Sequence, residues 1–298
     1  MDHSNPTLDQ DSVIEHLIGA LPAIKNHGLA VVAGVYSGGS GYWGRFIAEL
    51  GALERVLEVH GCSNIAVVNV GNNDLAAVSQ HSSANSVTGE ALWNEKNQTA
   101  DILIRQMNLV RRMLRHHGCC DVPVTHTESA AEWSDVQQYV VQLIESCDSF
   151  VMLEDQPYWN IGDTTNMSGA YESFRYRAGE VFGITKQLQR DVWLAATGWP
   201  RADADVPYRN TNNLANAKNA QDYFNKVGCQ VLGGKGSGFY HSDWLADGTL
   251  RTPKEADFSI FNATGEPADN MDLSCSGWQA NAETPDWLPQ FAGGSGSL

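Results

Sequence analysis

Ile65-Ala66-Val67-Val68-Asn69-Val70-Gly71-Asn72-Asn73-Asp74-Leu75 is the stretch that decides the fold. Ile65–Val70 reads as a buried strand, because strands covered on both faces show apolar runs rather than alternation. Asn72, Asn73 and Asp74 stand at its end. Val192-Trp193-Leu194-Ala195-Ala196-Thr197-Gly198-Trp199-Pro200 repeats the plan, with a strand over Val192–Ala195. Further strands are read at Leu29–Val35, Val122–Thr125, Ser149–Leu153 and Gly238–His241. Helices are predicted over residues 11–26, Trp43–His60, Asp101–His117, Glu132–Ser146, Ser168–Gln189 and Leu214–Val227. Gly61 reads as a helix stop, and Arg111, Arg112 and Arg115 suit the end of a helix dipole. Residues 78–95 are polar and Ser-rich, which predicts a long surface loop. Buried strands alternating with helices mean parallel β/α units. Six strands are readable, whereas a closed β/α barrel takes eight.

The 298-residue length fits a barrel, which routinely runs to ~250 residues as one domain. A single domain over 1–292 is expected, with Gly293-Gly294-Ser295-Gly296-Ser297-Leu298 as a flexible tail. A hydrophobic content of 42% with nine Trp supplies a sizeable core. The net charge of −16 argues against nucleic acid and anionic membranes as partners, since such a field repels phosphate. It suits a neutral ligand. No apolar run is long enough for a transmembrane helix, and Met1-Asp2-His3-Ser4-Asn5-Pro6 has no signal-peptide character. Cys62, Cys119, Cys120, Cys147, Cys229 and Cys275 form no C-x-x-C pair, so no metal is expected. These cysteines and the sequons at Asn97, Asn166 and Asn262 suggest secretion with a few disulfides. Gly233–Gly238 lacks phosphate-loop spacing and no G-x-S-x-G is present, so neither a cofactor nor a serine nucleophile is expected.

Barrels of this kind place ligand groups at the C-terminal ends of their strands. The readable ends are Tyr36-Ser37, Asn72-Asn73-Asp74, Thr125-His126-Thr127-Glu128, Glu154-Asp155 with Tyr158-Trp159, Ala196-Thr197-Gly198-Trp199 and Tyr240-His241-Ser242-Asp243-Trp244. Most carry a Tyr or Trp. Aromatic faces stack on the CH faces of sugars, while Asn, Asp and Thr bond the hydroxyls. The alternative is that the aromatics only close the top of the core.

Val70-Gly71-Asn72-Asn73 and Ala196-Thr197-Gly198-Trp199-Pro200 resemble the V-G-N-E and E-T-G-W-P motifs of glycoside hydrolase family 17, the β-1,3-glucanases and glucanosyltransferases. Gln156-Pro157-Tyr158-Trp159 is similar to the family's F-P-Y-W segment, and Asp272-Leu273-Ser274-Cys275 to the D-L-S-C close of fungal members. The resemblance implies an α/β fold of (β/α)8 TIM-barrel type, with its first two strands lying before residue 1. It implies a β-1,3-glucan or related oligosaccharide as ligand, a monomer, and a secreted or cell-wall setting. In the family the first Glu is the acid/base and the second the nucleophile. The matching positions here hold Asn73 and Ala196. Substrate contacts are expected from Tyr36, Asn72, Glu128, Asp155, Tyr158, Trp159, Thr197, Trp199, His241 and Asp243.

Retaining glycosidases need two carboxyl groups ~5 Å apart. Asn73 has no proton of suitable pKa, and Ala196 has no atom that could bond a glycosyl group. Losing both should leave only binding. Asp74 reads as a cap or loop residue whose side chain points away from that of Asn73. Glu128 reads as orienting its neighbours, and His241 as a barrel-top histidine or a general base. Three readings follow. One is a glucan-binding protein with impaired catalysis. Another is an enzyme using a relocated Glu154, Asp155 or Asp243. The last is a non-carbohydrate interaction protein on the same scaffold.

Overall fold

The computed structural model describes residues 19–37, 43–86, 88–160, 167–202, 214–229, 257–262 and 266–274. A first helix, α1, is described over 19–26. Then follow β1 (Val31–Val35), α2 (Trp43–His60), β2 (Ile65–Asn72), α3 (Asp74–Ala84), α4 (Glu90–His116), β3 (Val124–Ser129), α5 (Ala130–Trp133), α6 (Gln138–Ser146) and β4 (Phe150–Glu154). A 3-10 turn over Pro157–Asn160 leads to α7 (Met167–Gln187), β5 (Asp191–Ala196) and α8 (Ala217–Tyr223), which continues as a π-helical turn, Phe224–Gly228. The strands are hydrogen-bonded in sequence order, β1 to β5. β1 pairs with β2 in parallel from Val31↔Ile65 to Val35↔Val70. β2 pairs with β3 in parallel from Val68↔Val124 to Asn72↔Thr127. The strand expected at Gly238–His241 lies outside the described residues.

The predicted loop at 78–95 is instead helical: α3 runs to Ala84 and α4 begins at Glu90. Its serines do not signal solvent. Ser82 is fully buried and its hydroxyl donates to Glu95 Oε2 at 3.0 Å, so the polarity is satisfied within the α3–α4 pair. The α4 stripe of Leu103, Met107, Val110 and Leu114 is buried at helical spacing. β3 starts later than expected and reaches Ser129, which brings His126, Thr127 and Glu128 into the strand itself. The helix expected over Glu132–Ser146 breaks between α5 and α6.

The chain divides into two compact units, Met1–Glu128 with Asp135–Val151, and Ser129–Ser134 with Met152–Leu298. In the first unit, Val67, Val68 and Val70 of β2 are fully buried, as are Leu103 of α4 and Leu143 of α6. Asp148 ties its own turn to the start of β3, its carboxylate accepting from Val124 N–H at 2.7 Å. Cys62 and Cys119, 57 residues apart, form a disulfide. In the second unit, Val192 and Leu194 of β5 are buried, as are Phe174, Ala178 and Val181 of α7. Trp133 is fully buried there and its indole N–H donates to Met152 O at 2.8 Å. Among the described residues no helix is long and apolar enough to cross a membrane.

Candidate functional site

In the first unit, the end of β2 is an irregular turn built for a purpose beyond connection. The β2–β3 register shifts between Asn69 and Asn72, a bulge of the kind that re-aims side chains at strand ends. Asn69 stabilises it from inside, donating from Nδ2 to Gly71 O at 2.8 Å and accepting from Thr127 Oγ1 at 2.9 Å. Gly71 has φ +76°, and a Cβ there would meet Asp74 Oδ2 at 2.2 Å and Leu103 at 3.0 Å. Asn73 follows in the left-handed region, φ 56° and ψ 34°. Short polar side chains tolerate that conformation best after glycine.

Asn73 stands at the N-cap position of α3, yet its side chain makes no cap hydrogen bond. Among the described residues its buried Oδ1 meets no hydrogen-bond partner. Its main-chain N–H donates to Thr127 O at 3.0 Å. Asp74 turns back instead: its carboxylate accepts from Asn72 N–H at 2.9 Å and from the Ser37 hydroxyl. The orphan N–H of Leu75 in the first turn of α3 is taken by Glu128 Oε1 at 2.6 Å. Glu128 and His126, two apart on β3, share one side of the strand. Both are fully buried, with His126 Nε2 3.2 Å from Glu128 Oε1 and His126 Nδ1 2.6 Å from Val70 O. A carbonyl only accepts, so Nδ1 carries a proton.

Burial pushes the Glu128 carboxyl up, against the hydrogen bond and charge of His126. For His126, burial works downward, but the hydrogen bond and charge of Glu128 outweigh it and leave the imidazole raised. Each group thus shifts the other's titration, and the pair titrates as a coupled unit. Tyr36, at the end of β1, is 40% exposed, and the Arg45 guanidinium lies 4.0 Å from its ring centroid. Asn72 is exposed.

In the second unit, Ala196 is the last residue of β5, and its carbonyl accepts from Asp155 N–H at 3.0 Å. Asp155 is buried and bound by Arg177 through two hydrogen bonds of 3.0 Å each. Burial pushes its carboxyl up to about 6, with the Arg177 charge and hydrogen bonds working the other way. Thr197 Oγ1 lies 2.6 Å from the Tyr223 hydroxyl, and both are buried. Burial raises the Tyr223 phenol. Trp199 is only 3% exposed, and its indole N–H donates to Leu214 O at 2.8 Å. Tyr158 is fully buried, edge-on to Trp199 at 5.4 Å and to Phe258 at 5.9 Å. Trp199, Tyr223, Phe258 and Met271 line a cavity of about 30 Å³.

The expected contacts are therefore placed unequally. Tyr36, Asn72, Asn73 and Glu128 belong to the first unit, around the β2–α3 turn and the neighbouring strand ends. Asp155, Tyr158, Ala196, Thr197 and Trp199 belong to the second. Trp159 lies in the 3-10 turn. His241 and Asp243 lie outside the described residues. Gln106 and Arg177 were not anticipated. The full burial of Gln106, which donates to Ser37 O at 2.8 Å, is invisible without the α4 packing. His126 stands among the strand ends read from sequence, and its pairing with Glu128 could have been found too, since Thr125-His126-Thr127-Glu128 puts His and Glu on one side of a strand. Among the described residues no group of three or more His, Cys, Asp or Glu is placed to hold a metal.

No protein-family model matches the chain. The probable glucan endo-1,3-beta-glucosidase eglC of Aspergillus fumigatus is 26% identical over 275 residues, covering 91% of this chain and 56% of that protein. The glucan 1,3-beta-glucosidase of Schizosaccharomyces pombe is 25% identical over 221 residues, covering 74% and 60% respectively. The chain thus spans little more than half the length of the curated relatives it matches. Among solved structures, an endo-laminarinase from Formosa aligns with a TM-score of 0.54 at 16% identity, over 74% of this chain and 60% of that one. CJP38, a beta-1,3-glucanase and allergen of Cryptomeria japonica pollen, aligns at 0.51 and 17%, over 73% and 76%. At such identities the solved structures show the fold: α/β, of the (β/α)8 TIM-barrel type. The curated relatives support a relationship to the glycoside hydrolases.

Proposed function

We propose that the chain is a β-1,3-glucan-binding relative of the family 17 glycoside hydrolases in which hydrolysis and transglycosylation are lost or severely reduced. One observation carries the reading. The residue that follows β2 is Asn73 and the residue that ends β5 is Ala196, at the strand-end positions where the resembled motifs have glutamates. Neither side chain can give a proton or form a glycosyl bond. The names of the relatives favour a β-1,3-glucan over other polysaccharides. A secreted or cell-wall protein, acting as a monomer, belongs to the same proposal, and the Cys62–Cys119 disulfide suits an oxidising compartment. With Trp199 and Tyr158 buried, Tyr36 and Asn72 are the strand-end groups of the first unit that reach solvent.

A second reading has a specific observation behind it. A carboxyl held near pH 6, as burial holds Asp155, suits general acid work in a mildly acidic medium. Its two hydrogen bonds to Arg177 and its 4% exposure favour a structural role instead. Titration with laminarioligosaccharides, beside reducing-sugar release from laminarin, decides among the readings. Binding with turnover at background is expected. Turnover of ~1 per second or more, within the ordinary enzyme range, would establish a relocated catalytic pair. No binding at all would leave the scaffold to a non-carbohydrate partner.

A further inference from the structure

The β2–α3 turn is held from outside itself. Its expected N-cap, Asn73, does not cap, and the bulge takes Val70 and Gly71 out of the β2–β3 register. Three consecutive residues of β3 make up for both. His126 Nδ1 donates to Val70 O, Thr127 O accepts from Asn73 N–H, and Glu128 Oε1 accepts from Leu75 N–H. These bonds grip the turn at its start, middle and end. What the grip leaves over is the Asn73 carboxamide oxygen, buried and without a donor among the described residues. Leaving a buried acceptor unmade is costly, so this oxygen suits a donor brought by a ligand or a water.

We propose that His126 and Glu128 are positioning residues, which clamp the Val70–Leu75 turn so that Asn73 Oδ1 meets a hydroxyl donor of the bound saccharide. The saccharide end of this inference rests on the glucan-binding reading; the clamp does not. Neither His126 nor Glu128 touches the sugar. Glu128 acts through the first turn of α3, where an acceptor also complements the helix dipole. His126 acts through the Val70 carbonyl and by orienting Glu128.

The test compares Glu128→Leu, which keeps bulk and removes the acceptor, with Glu128→Gln, which keeps an oxygen for Leu75 N–H. Amide hydrogen exchange reads the clamp and laminarioligosaccharide titration reads the site. In Glu128→Leu, exchange at Leu75 should rise roughly tenfold or more, the effect of losing one buried hydrogen bond, and affinity should fall by a similar factor. Glu128→Gln should restore both to within a few-fold. Asn73→Gly, which keeps the left-handed backbone and removes the carboxamide, should weaken binding while leaving Leu75 exchange within a few-fold. If Glu128→Leu does not fold, His126→Leu, which removes the donor to Val70 O, is compared with His126→Gln, which keeps one, by the same two readouts. Unchanged exchange at Leu75 in Glu128→Leu would overturn the clamp, whatever the affinity does. Faster exchange with unchanged affinity would overturn the positioning role. A wild-type chain with no oligosaccharide affinity would overturn the glucan reading and the saccharide end of the proposal, while the exchange data still decide the clamp.

Discussion

Trp199 shows how one residue can be read from sequence as aromatic and strand-terminal while its surroundings depend on the fold. Its position three residues beyond Ala196 suggests a ring open to a sugar. The structure buries it, gives its N–H to Leu214 O and stacks it among Tyr158 and Tyr223. Trp199→Ala should therefore cost ~3–5 kcal/mol of stability, as truncation of a core tryptophan does. Urea unfolding beside oligosaccharide titration checks it: a large fall in midpoint is expected, and a change confined to affinity would return Trp199 to the sugar site. Asp155 carries the residue-scale pH prediction. Its folded pKa, about 6, lies above the ordinary carboxylate value because burial disfavours the charge. A raised acid binds its proton more tightly in the native state. Its stabilising contribution is therefore present below about pH 4 and is lost as pH rises through about 6. Unfolding free energies of the wild type and Asp155→Asn, measured from pH 4 to 7, should show the wild type losing ground to the variant across that window. A constant difference would mean that Arg177 holds Asp155 ionised throughout.

At the scale of the element, the β2–α3 turn is a tightly constrained connection. Gly71 needs its positive φ, and its Cα faces Asp74, Leu103 and Ser37 so closely that a Cβ has no room. Gly71→Ala should destabilise by about 1–3 kcal/mol from backbone strain, with more from the clash. It should also disturb the turn that carries Asn73. Thermal melts check the first effect, and amide exchange at Asn73 and Leu75 the second. A neutral Gly71→Ala would show that the turn relaxes freely and is not preorganised. The helices α3 and α4 make a related point. Serines in a helix count against it by propensity, since their hydroxyls compete for the backbone. Here Ser83 Oγ donates to Ser79 O within α3 and Ser82 to Glu95 on α4, so tertiary packing overrides the local preference.

On the scale of the whole molecule, the glucan reading predicts that chemistry can be put back. Asn73→Glu together with Ala196→Glu should bring detectable retaining hydrolysis of laminarin. Either substitution alone should do little, because the two carboxyls act as a unit. Reducing-sugar release, with product stereochemistry followed by NMR, checks it. A folded double variant that stays silent would show that other groups at the strand ends have also changed.

Local pattern carried much of this. Apolar runs and helical spacing depend only on neighbours along the chain, so Trp43–His60 as a helix, Gly61 as its stop, and the strands near Ile65 and Val192 were legible without coordinates. So were the polar strand ends, with Asn73 and Ala196 among them, because residue type is itself the observation. Contacts between distant residues were not legible. Glu128 capping α3 across 53 positions, His126 reaching Val70, Cys62 finding Cys119, and Trp199 turning inward each depend on which elements meet in space. Hydrogen bonds and burial act over a few ångströms, whatever the separation in sequence. Only the folded chain decides which groups come within that range.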